Sequence, residues 1–155
     1  MAGIDIEPTE VATAIPYDAE RQKFLLLKRS FDAEIHPGTW NFPGGRIRKT
    51  DASNSISAGN ADGHIEDEDP ENAALRELEE ETGLSGELIR SGEPFTLDTE
   101  DGKFKIYPFL ILVEGEPELN SEHRDHSWID PEELEDYDTV DGLKKDLRKV
   151  GVLDE

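Results

Sequence analysis

Residues 76–84 carry the sequence RELEEETGL, and this run limits the fold more than any other part of the chain. At roughly 100° per residue, an α-helix places Glu77, Glu80 and Glu81 within an arc of about 100°, whereas Glu79 points to the far side. Neighbouring carboxylates on a helix repel one another by a few tenths of a kcal/mol per pair, or more. We therefore expect this helix to hold a cation, and carboxylate oxygens suit Mg²⁺ or Mn²⁺ far better than zinc.

The ends of this helix are also marked in the sequence. Asp69 can act as the N-cap, with Pro70 at the first helical position, and Gly83 ends the helix. Three side chains share one side of the helix and are expected to pack on a sheet: Leu75, Leu78 and Thr82. The acidic stripe would then face a cleft.

The charge of the chain excludes several classes of partner. The sequence has 38 acidic and 16 basic residues, which gives a formal net charge of −22. Binding to nucleic acid depends on neutralising phosphates with cations, so we expect neither nucleic-acid binding nor association with an anionic membrane. Periodic apolar blocks indicate a folded core, and we interpret the acidic excess as a halophile-like surface whose self-repulsion is screened by salt. Thermal stability should therefore be higher in multimolar KCl than in dilute KCl, and equal stability would contradict this interpretation.

Length and cysteine content bound the architecture further. A chain of 155 residues suits one domain, 1–155, able to bury roughly 68–70% of its unfolded surface. The chain has no cysteine, so neither disulfides nor thiol chemistry can operate. Residues 1–5 lack the features of a signal peptide, and no apolar run approaches the roughly 18 residues of a membrane span. We expect a soluble cytoplasmic protein, and the sequence leaves its oligomeric state open.

Apolar blocks elsewhere predict a sheet. Residues 24–27 form a continuous apolar run that is typical of a buried strand, and Asp101-Gly102 is a strong hairpin signal. Pro108 should mark a bulge or an edge position. The predicted strands are 11–15, 23–28, 95–98, 103–113 and 127–129, with a turn at 17–20 and a loop over 29–41.

Two further helices are predicted after the last strand. Asp130 and Pro131 should begin one of them, and Leu143, Leu147 and Val150 have helical spacing in the other. Mixed strands with a helix falling between them fit an α/β sandwich, and no internal repeat is evident.

The run at 76–84 resembles the Nudix box, whose pattern is G-x5-E-x7-R-E-U-x-E-E-x-G-U, with U a bulky aliphatic residue. Glu68 stands where the pattern has its first glutamate, and Gly44-Gly45 resembles the family's glycine pair. Gly45 and Glu68 have 22 residues between them where the pattern has five, so we infer an insertion of 17 residues, at about 49–63. Its Ser, Asn, Asp, Gly and Ala content predicts a flexible loop, and the alternative is a lid over the site.

The resemblance implies a Nudix-type α/β/α sandwich around a mixed sheet, and divalent-metal-dependent hydrolysis of a diphosphate linkage. The implied substrate is a nucleoside diphosphate linked to another moiety: a nucleoside triphosphate, a dinucleoside polyphosphate or a nucleotide sugar. Arg76 would pair with Glu68 and tie the preceding loop to the helix. The implied ligands of Mg²⁺ or Mn²⁺ are Glu77, Glu80, Glu81 and the carbonyl oxygen of Gly44. Such ions would allow a strongly anionic protein to bind an anionic substrate.

The same resemblance implies two sources for the general base. It is either a box glutamate such as Glu77 or a glutamate from a later loop. Glu122 supplies the later one, because Glu122, His123 and Trp128 are arranged in a way that is similar to asymmetric dinucleoside tetraphosphate hydrolases of the family. The candidate catalytic residues are therefore Glu77, Glu122, Arg76 and Glu68.

Candidate substrate contacts precede the box. Arg29 could contact a terminal phosphate, and Trp40 and Phe42 could stack on a base or, alternatively, cap the core. Residues 27–45 also partly resemble the coenzyme-A diphosphatase subgroup, although Glu34 stands where that subgroup has arginine. A catalytically silent nucleotide sensor is disfavoured because every box acid is present. An isopentenyl diphosphate isomerase is excluded, since that class depends on a catalytic cysteine.

Overall fold

The computed structural model describes residues 8–30, 38–48, 68–99, 102–121, 123–139 and 142–153. Within these ranges the chain forms eight strands, two α-helices and one 3₁₀ helix. In chain order they are β1 (Thr9–Asp18), β2 (Lys23–Arg29), β3 (Trp40–Asn41), β4 (Gly44–Arg46), α1 (Pro70–Thr82), β5 (Gly86–Ser91), β6 (Phe95–Thr99), β7 (Gly102–Val113), β8 (His123–Ile129), the 3₁₀ helix (Pro131–Asp136) and α2 (Leu143–Lys149).

The described strands form one mixed sheet. Its centre is a parallel pair, β1 with β7, and the other strand pairings in the described ranges are antiparallel. β2 pairs with β1, β8 and β3 pair with β2, and β5 and β6 pair with the far edge of β7. β4 pairs with β1 in a register that places Gly44 opposite Thr13 and Gly45 opposite Ala12. The glycine pair is therefore held in the sheet by β1.

Helices cover the two faces of this sheet. Alternate side chains of β2 point to opposite faces, so Leu25 and Leu27 join one apolar cluster and Phe24 and Leu26 join the other. The first cluster includes the buried side chains of α1, and the second includes those of α2. Burial on both faces explains why residues 24–27 are continuously apolar. The predicted α/β fold is confirmed.

Several predicted elements are present with longer bounds, and two intervals are wrong. The turn expected at 17–20 lies at 19–22, because Tyr17 and Asp18 belong to β1 and pair with β2. β6 and β7 pair antiparallel with Thr99 opposite Gly102, as the hairpin signal predicts, although Asp101 lies outside the described residues. α2 buries Leu143 and Leu147 as predicted. The interval 29–41 was expected to be loop, but Arg29 belongs to β2 and Trp40–Asn41 forms β3. β3 contains only two residues, and it forms because Trp40 and Asn41 pair with β2.

Pro108 and Pro131 show how proline shapes this sheet and its edges. Pro108 lies in the interior strand β7, between the segment paired with β6 and the segment paired with β5. The ladder on that side of β7 is interrupted there, so the missing N–H breaks no strand pairing. Pro131 begins the predicted helix, which is a short 3₁₀ helix. In it the Glu133 carboxylate accepts a hydrogen bond from Asp130 N–H at 2.8 Å.

The predicted insertion at about 49–63 lies outside the described residues. Neither α-helix in the described part of the chain has the length and apolar character needed to cross a membrane.

Candidate active site

The box helix α1 has the ends that its sequence predicts. The Asp69 side chain accepts a hydrogen bond from Glu71 N–H at 3.2 Å, and Pro70 is the first helical residue. At the other end Gly83 adopts φ 73°, and its N–H donates to the Glu79 carbonyl at 2.8 Å. A left-handed residue at this position favours glycine because no Cβ is present to clash.

One side of α1 packs on the sheet, as expected. Leu78 and Thr82 are fully buried, and the partly buried Leu75 packs against the same apolar cluster. Glu81 is also only 2% exposed, so one member of the acidic stripe lies at the edge of the packed face. The stripe therefore runs from the buried side of α1 towards solvent.

Arg76 and Glu68 form the ion pair that the sequence predicts. Arg76 Nε–H donates to Glu68 Oε2 at 2.7 Å, and its Nη2 donates to Glu68 Oε1 at 2.9 Å. Glu68 also accepts from Arg48 N–H at 3.0 Å, and Arg76 Nη2 reaches the Arg46 carbonyl at 3.2 Å. Hydrogen bonds from Arg76, opposed by burial, lower the pKa of the Glu68 carboxyl. The pair thus ties α1 to the end of β4.

Arg76 also contacts two acids of the stripe. Its Nη1 donates to Glu77 Oε2 at 3.0 Å and to Glu80 Oε1 at 3.1 Å. Arg48 Nη2 lies 3.6 Å from Glu80 Oε2. The hydrogen bond to Glu68 is the main reason that the pKa of Arg76 is raised, with the charge of Glu77 adding to it. In this arrangement guanidinium groups offset the repulsion between the acids.

Glu81 has different surroundings. Gly44 N–H donates to Glu81 Oε2 at 3.3 Å, and His123 Nε2 lies 3.6 Å from Glu81 Oε1. That second distance is too long for a hydrogen bond. Burial, helped by the charge of Arg29, lowers the pKa of His123 to about 4. At neutral pH the imidazole beside Glu81 is therefore uncharged.

Gly44 and Gly45 occupy the narrow space between β1 and α1. A Cβ on Gly44 would lie 2.5 Å from the Ala12 carbonyl oxygen, and a Cβ on Gly45 would overlap the Glu77 carboxylate. Only glycine lets the backbone of β4 approach both neighbours this closely. The glycine pair is thus flanked by Glu77 and Glu81, the two box acids that lie nearest to the sheet.

The donor chemistry of this corner fits a hard divalent cation, because carboxylate and backbone oxygens are the ligands that Mg²⁺ prefers. In the described residues, however, no group of three or more Asp, Glu or His side chains converges on a single point that could hold a metal ion. Arg76 holds Glu77 and Glu80, while Glu81 is turned towards Gly44. The residue types and their positions fit a metal ion. To bind it, the carboxylates of Glu77 and Glu80 would have to exchange Arg76 for the cation.

A cleft of about 640 Å³ opens beside the box helix. Half of the chain's eight arginines line it, despite the net charge of −22: Arg29, Arg46, Arg48 and Arg76. At its box end are Gly44, Gly45, Glu77 and Glu80. Its far end is walled by apolar side chains, namely Leu97, Phe104, Ile106 and Leu143. Cations beside an apolar pocket suit a ligand that carries phosphates on an organic group.

Comparisons with known proteins agree with this geometry. The family model of the NUDIX domain matches residues 8–150. The chain belongs to the Nudix family. It is 28% identical over 143 residues to the nucleoside triphosphatase NudI of Escherichia coli O139:H28, covering 84% of this chain and 89% of that protein.

Two solved structures share the Nudix fold with this chain. The MutT protein of Methanosarcina mazei Go1 superposes with a TM-score of 0.66 at 22% identity, covering 93% of this chain and 92% of that one. An Ap4A hydrolase of C. elegans, in a binary complex, superposes with a TM-score of 0.64 at 19% identity, covering 91% and 93%. The chain is accordingly an enzyme, a Nudix pyrophosphohydrolase of nucleoside diphosphate derivatives, and Nudix hydrolases generally depend on divalent metals.

The other predicted site residues are distributed unevenly. Arg29 and Phe42 line the cleft of this Nudix domain, although Phe42 is also part of the core. Trp40 does not line the cleft: its ring packs edge-on against Tyr137, with centroids 5.0 Å apart. Glu122 lies outside the described residues.

Several cleft residues were missed by the sequence reasoning, among them Arg46, Arg48, Asn41 and Asp146. Asn41 Oδ1 and Asp146 Oδ1 are buried, line the cleft and have no hydrogen-bond partner in the described chain. For Asp146 a signal existed, because it falls three residues after Leu143, on the apolar side of a helix. A charged residue in that register is unusual unless it has a partner or a function.

Proposed function

We propose that this enzyme hydrolyses the diphosphate linkage of a nucleoside diphosphate joined to another moiety, with Mg²⁺ or Mn²⁺ as its cofactor. The candidate substrates are nucleoside triphosphates, dinucleoside polyphosphates and nucleotide sugars. The observation that carries the proposal is the cleft itself, which brings two box acids, Glu77 and Glu80, together with four arginines and an apolar pocket. The names of the relatives, a nucleoside triphosphatase and an Ap4A hydrolase, support the same range of substrates.

The proposed metal ligands are Glu77, Glu80, Glu81 and the Gly44 carbonyl. A bound divalent cation supplies positive charge to the phosphate oxygens and acidifies water. Glu77 and Glu81 are the firmest candidates because both carboxylates flank the glycine pair. Arg76 would keep Glu77 and Glu80 in place between turnovers and would hold the loop through Glu68.

Arginines of the cleft have a separate role in this proposal. Arg29, Arg46 and Arg48 line it along with Arg76, whose guanidinium is already engaged by Glu68. Guanidinium groups form paired hydrogen bonds with phosphate oxygens, so these three would orient the phosphate chain. Phe42 would contribute to the wall that receives the organic group.

The general base is proposed to be Glu122, with Glu77 as the second candidate. Glu122 directly precedes His123 in the chain, and His123 Nε2 lies 3.6 Å from Glu81 Oε1. Glu122 itself lies outside the described residues, and its adjacency in the sequence to His123, the first residue of β8, supports a role near the metal ligands. A variant pair, Glu122→Gln and Glu77→Gln, separates the two. If Glu122 is the base, Glu122→Gln lowers kcat at saturating metal and leaves metal affinity unchanged, whereas wild-type kcat in that variant would leave Glu77, a proposed metal ligand whose replacement lowers both kcat and metal affinity.

A hydrolysis panel tests the proposal. The full chain, kept in multimolar KCl, is assayed with nucleoside triphosphates, dinucleoside tetraphosphates, nucleotide sugars and coenzyme A, with Mg²⁺, Mn²⁺ or EDTA. We expect turnover of at least one nucleotide, dependent on the metal and abolished by EDTA. Turnover of coenzyme A alone would favour the alternative subgroup. Absence of turnover with every substrate and both metals would refute the proposal.

A further inference from the structure

The far end of the cleft, opposite the box, contains a buried acid. Asp146 lies on α2, is 7% exposed and lines the cleft with Leu97, Phe104, Ile106 and Leu143. Its Oδ1 has no hydrogen-bond partner in the described residues. Its backbone makes the usual helical hydrogen bonds, since Asp146 N–H donates to the Gly142 carbonyl at 2.9 Å and the Asp146 carbonyl accepts from Val150 N–H. The side chain alone is therefore left unsatisfied, at the boundary between α2 and the cleft.

An unsatisfied buried carboxyl group is costly for a fold. Removing such a group from water without a hydrogen bond opposes folding, and apolar replacements at such sites are often neutral or stabilising. Asp18, which is also buried, shows the ordinary solution: its carboxylate accepts from Glu20 N–H at 2.8 Å and Arg21 N–H at 3.1 Å. Asp146 has no equivalent partners, and a purely structural role gives no reason to keep it.

We propose that Asp146 hydrogen-bonds to the ring edge of the nucleobase bound at the apolar end of the cleft, and so determines which nucleotides the enzyme prefers. This inference rests on the proposed function, because it requires a nucleotide whose phosphates lie at the box end. The apolar walls would enclose the faces of the base, and Asp146 is the acid that lines that end of the cleft among the described residues. A few polar groups in an apolar pocket commonly fix the orientation of a ligand.

The protonation state of Asp146 decides which hydrogen bonds it can form with a base. Burial raises the pKa of Asp146 well above its ordinary value, which favours the neutral acid. A neutral carboxyl group offers one O–H donor beside one carbonyl acceptor, whereas a carboxylate only accepts. Adenine, cytosine, uracil and guanine each present an adjacent donor and acceptor on the pairing edge, in guanine N1–H beside O6, so a neutral acid can pair with each of them. A carboxylate would instead favour guanine, whose N1–H and N2 amino group are two adjacent donors.

Three variants and a substrate without a base test this assignment. Asp146→Leu removes both hydrogen-bonding functions, Asp146→Asn keeps one donor and one acceptor without charge, and Asp18→Asn is the control, a buried aspartate away from the cleft. Values of kcat/KM are measured for ATP, CTP, GTP and ribose 5′-triphosphate, and Tm is measured for each variant. The informative quantity is the ratio of kcat/KM for each nucleotide to that for ribose 5′-triphosphate.

For Asp146→Leu we expect the ATP and CTP ratios to fall at least roughly tenfold, since the variant loses two hydrogen bonds and one alone has about that effect, while Tm rises or stays constant. Asp146→Asn should keep those ratios within about threefold of wild type. Asp18→Asn should lower Tm and leave the ratios unchanged. A structural role for Asp146 would instead lower Tm in Asp146→Leu with no change in the ratios.

The outcomes separate this inference from the proposed function. A wild-type enzyme that hydrolyses no nucleotide overturns both. A wild-type enzyme that hydrolyses nucleotides, with the same ratios in Asp146→Leu, overturns the role of Asp146 alone. Loss of the ratios in Asp146→Asn as well as Asp146→Leu, with GTP the best substrate, overturns the assignment of a neutral acid that prefers a donor beside an acceptor.

Discussion

The acid groups at the two ends of the cleft differ in their hydrogen-bond partners. At the box end Glu68 accepts two hydrogen bonds from Arg76, and Glu81 accepts one from Gly44 N–H. At the α2 end Asp146 Oδ1 has no hydrogen-bond partner among the described residues. Burial favours the neutral form of both acids. At Glu68 the hydrogen bonds from Arg76 outweigh burial and lower the pKa, whereas at Asp146 burial acts alone and raises the pKa. Glu68 at the box end therefore keeps its charge, and Asp146 at the α2 end favours a proton.

This difference suits two kinds of ligand group. The carboxylate groups of Glu77 and Glu80 can exchange an arginine for a divalent cation, because both partners are cationic. A neutral acid in an apolar pocket can recognise an uncharged ring by hydrogen bonds without placing an anion near phosphates. A nucleotide has a charged end and an uncharged ring, so one cleft can match both. The predictions below test whether the two ends are as distinct as the contacts indicate.

The largest effect should come from Glu81→Gln. Glutamine is similar in shape but is a poor ligand for a hard cation, so we expect kcat to fall roughly 10³-fold if Glu81 binds the metal. Replacing a buried charge with a neutral group should leave the fold intact, because burial of a charge is itself costly. Steady-state kinetics at saturating metal measures the loss, and circular dichroism reports on the fold. The matched control is Glu79→Gln, an exposed change on the far side of α1; if both variants have wild-type kcat, the metal site is misassigned.

Alanine substitutions at the two glycines should affect stability and activity separately. A Cβ on Gly45 would displace the Glu77 carboxylate, a flexible group, so Gly45→Ala should lower kcat about 10²-fold with little change in stability. A Cβ on Gly44 would meet the Ala12 backbone, which cannot move aside. Gly44→Ala should therefore reduce the free energy of unfolding by about 2–3 kcal/mol. Urea unfolding and kinetics on both variants check this division, and equal stability losses would show that β4 does not separate the two roles.

Replacing Arg76 should have the next largest effect, on both stability and metal affinity. Arg76→Gln removes the paired hydrogen bonds to Glu68 and should reduce the free energy of unfolding by about 2 kcal/mol. It should also weaken metal affinity roughly 10-fold or more, because the loop and the box acids lose their support. Arg76→Lys keeps the charge but not the planar fork and should recover only part of the loss. Arg48→Gln is the control, since its side chain is mostly exposed and its contact with Glu80 is long; an equal loss in that variant would contradict the special role of Arg76.

These contacts also show what local sequence signals can and cannot predict. The bounds of α1 were predictable because Asp69, Pro70 and Gly83 act on their own neighbours in the chain. The hairpin between β6 and β7 was predictable for the same reason. In contrast, β4 is three residues long and forms only through pairing with β1, which lies about 30 residues away in the chain. The sequence also gives no signal for β5, whose side chains are mostly exposed.

The candidate site was also predictable from the sequence only in part. Helical spacing placed Glu77, Glu80 and Glu81 on one edge, and the family resemblance paired Arg76 with Glu68. Neither indicated that Arg76 would also bind Glu77 and Glu80, because that depends on side-chain rotamers rather than on spacing. Trp40 was a candidate either to stack on a base or to cap the core, and its packing matches the second, because its backbone pairs with Lys28 and its ring packs on Tyr137. Its position depends on residues far along the chain.

The smallest effects should come from the two buried aspartates, and they should have opposite dependence on pH. Burial opposes ionisation of Asp18, but hydrogen bonds from Arg21 and Glu20 outweigh it and lower its pKa. Asp18 therefore contributes stability above its unfolded pKa of about 3.9, and that stability is lost as pH falls through the lower folded value. For Asp146 the folded pKa is raised, so its favourable contribution is present below about pH 3.9 and is lost as pH rises through the folded value.

Asparagine variants, which cannot ionise, allow both pH dependences of stability to be measured. Relative to wild type, Asp18→Asn should be less stable at pH 7, with a Tm lower by roughly 3 °C, and the difference should shrink towards pH 3. Asp146→Asn should show the reverse: its stability relative to wild type should increase from pH 4 to pH 8. Thermal unfolding of the three proteins in the same multimolar KCl measures both trends. Parallel trends would mean that Asp146 is charged and satisfied like Asp18, and the contrast between the two ends of the cleft would then rest on shape alone.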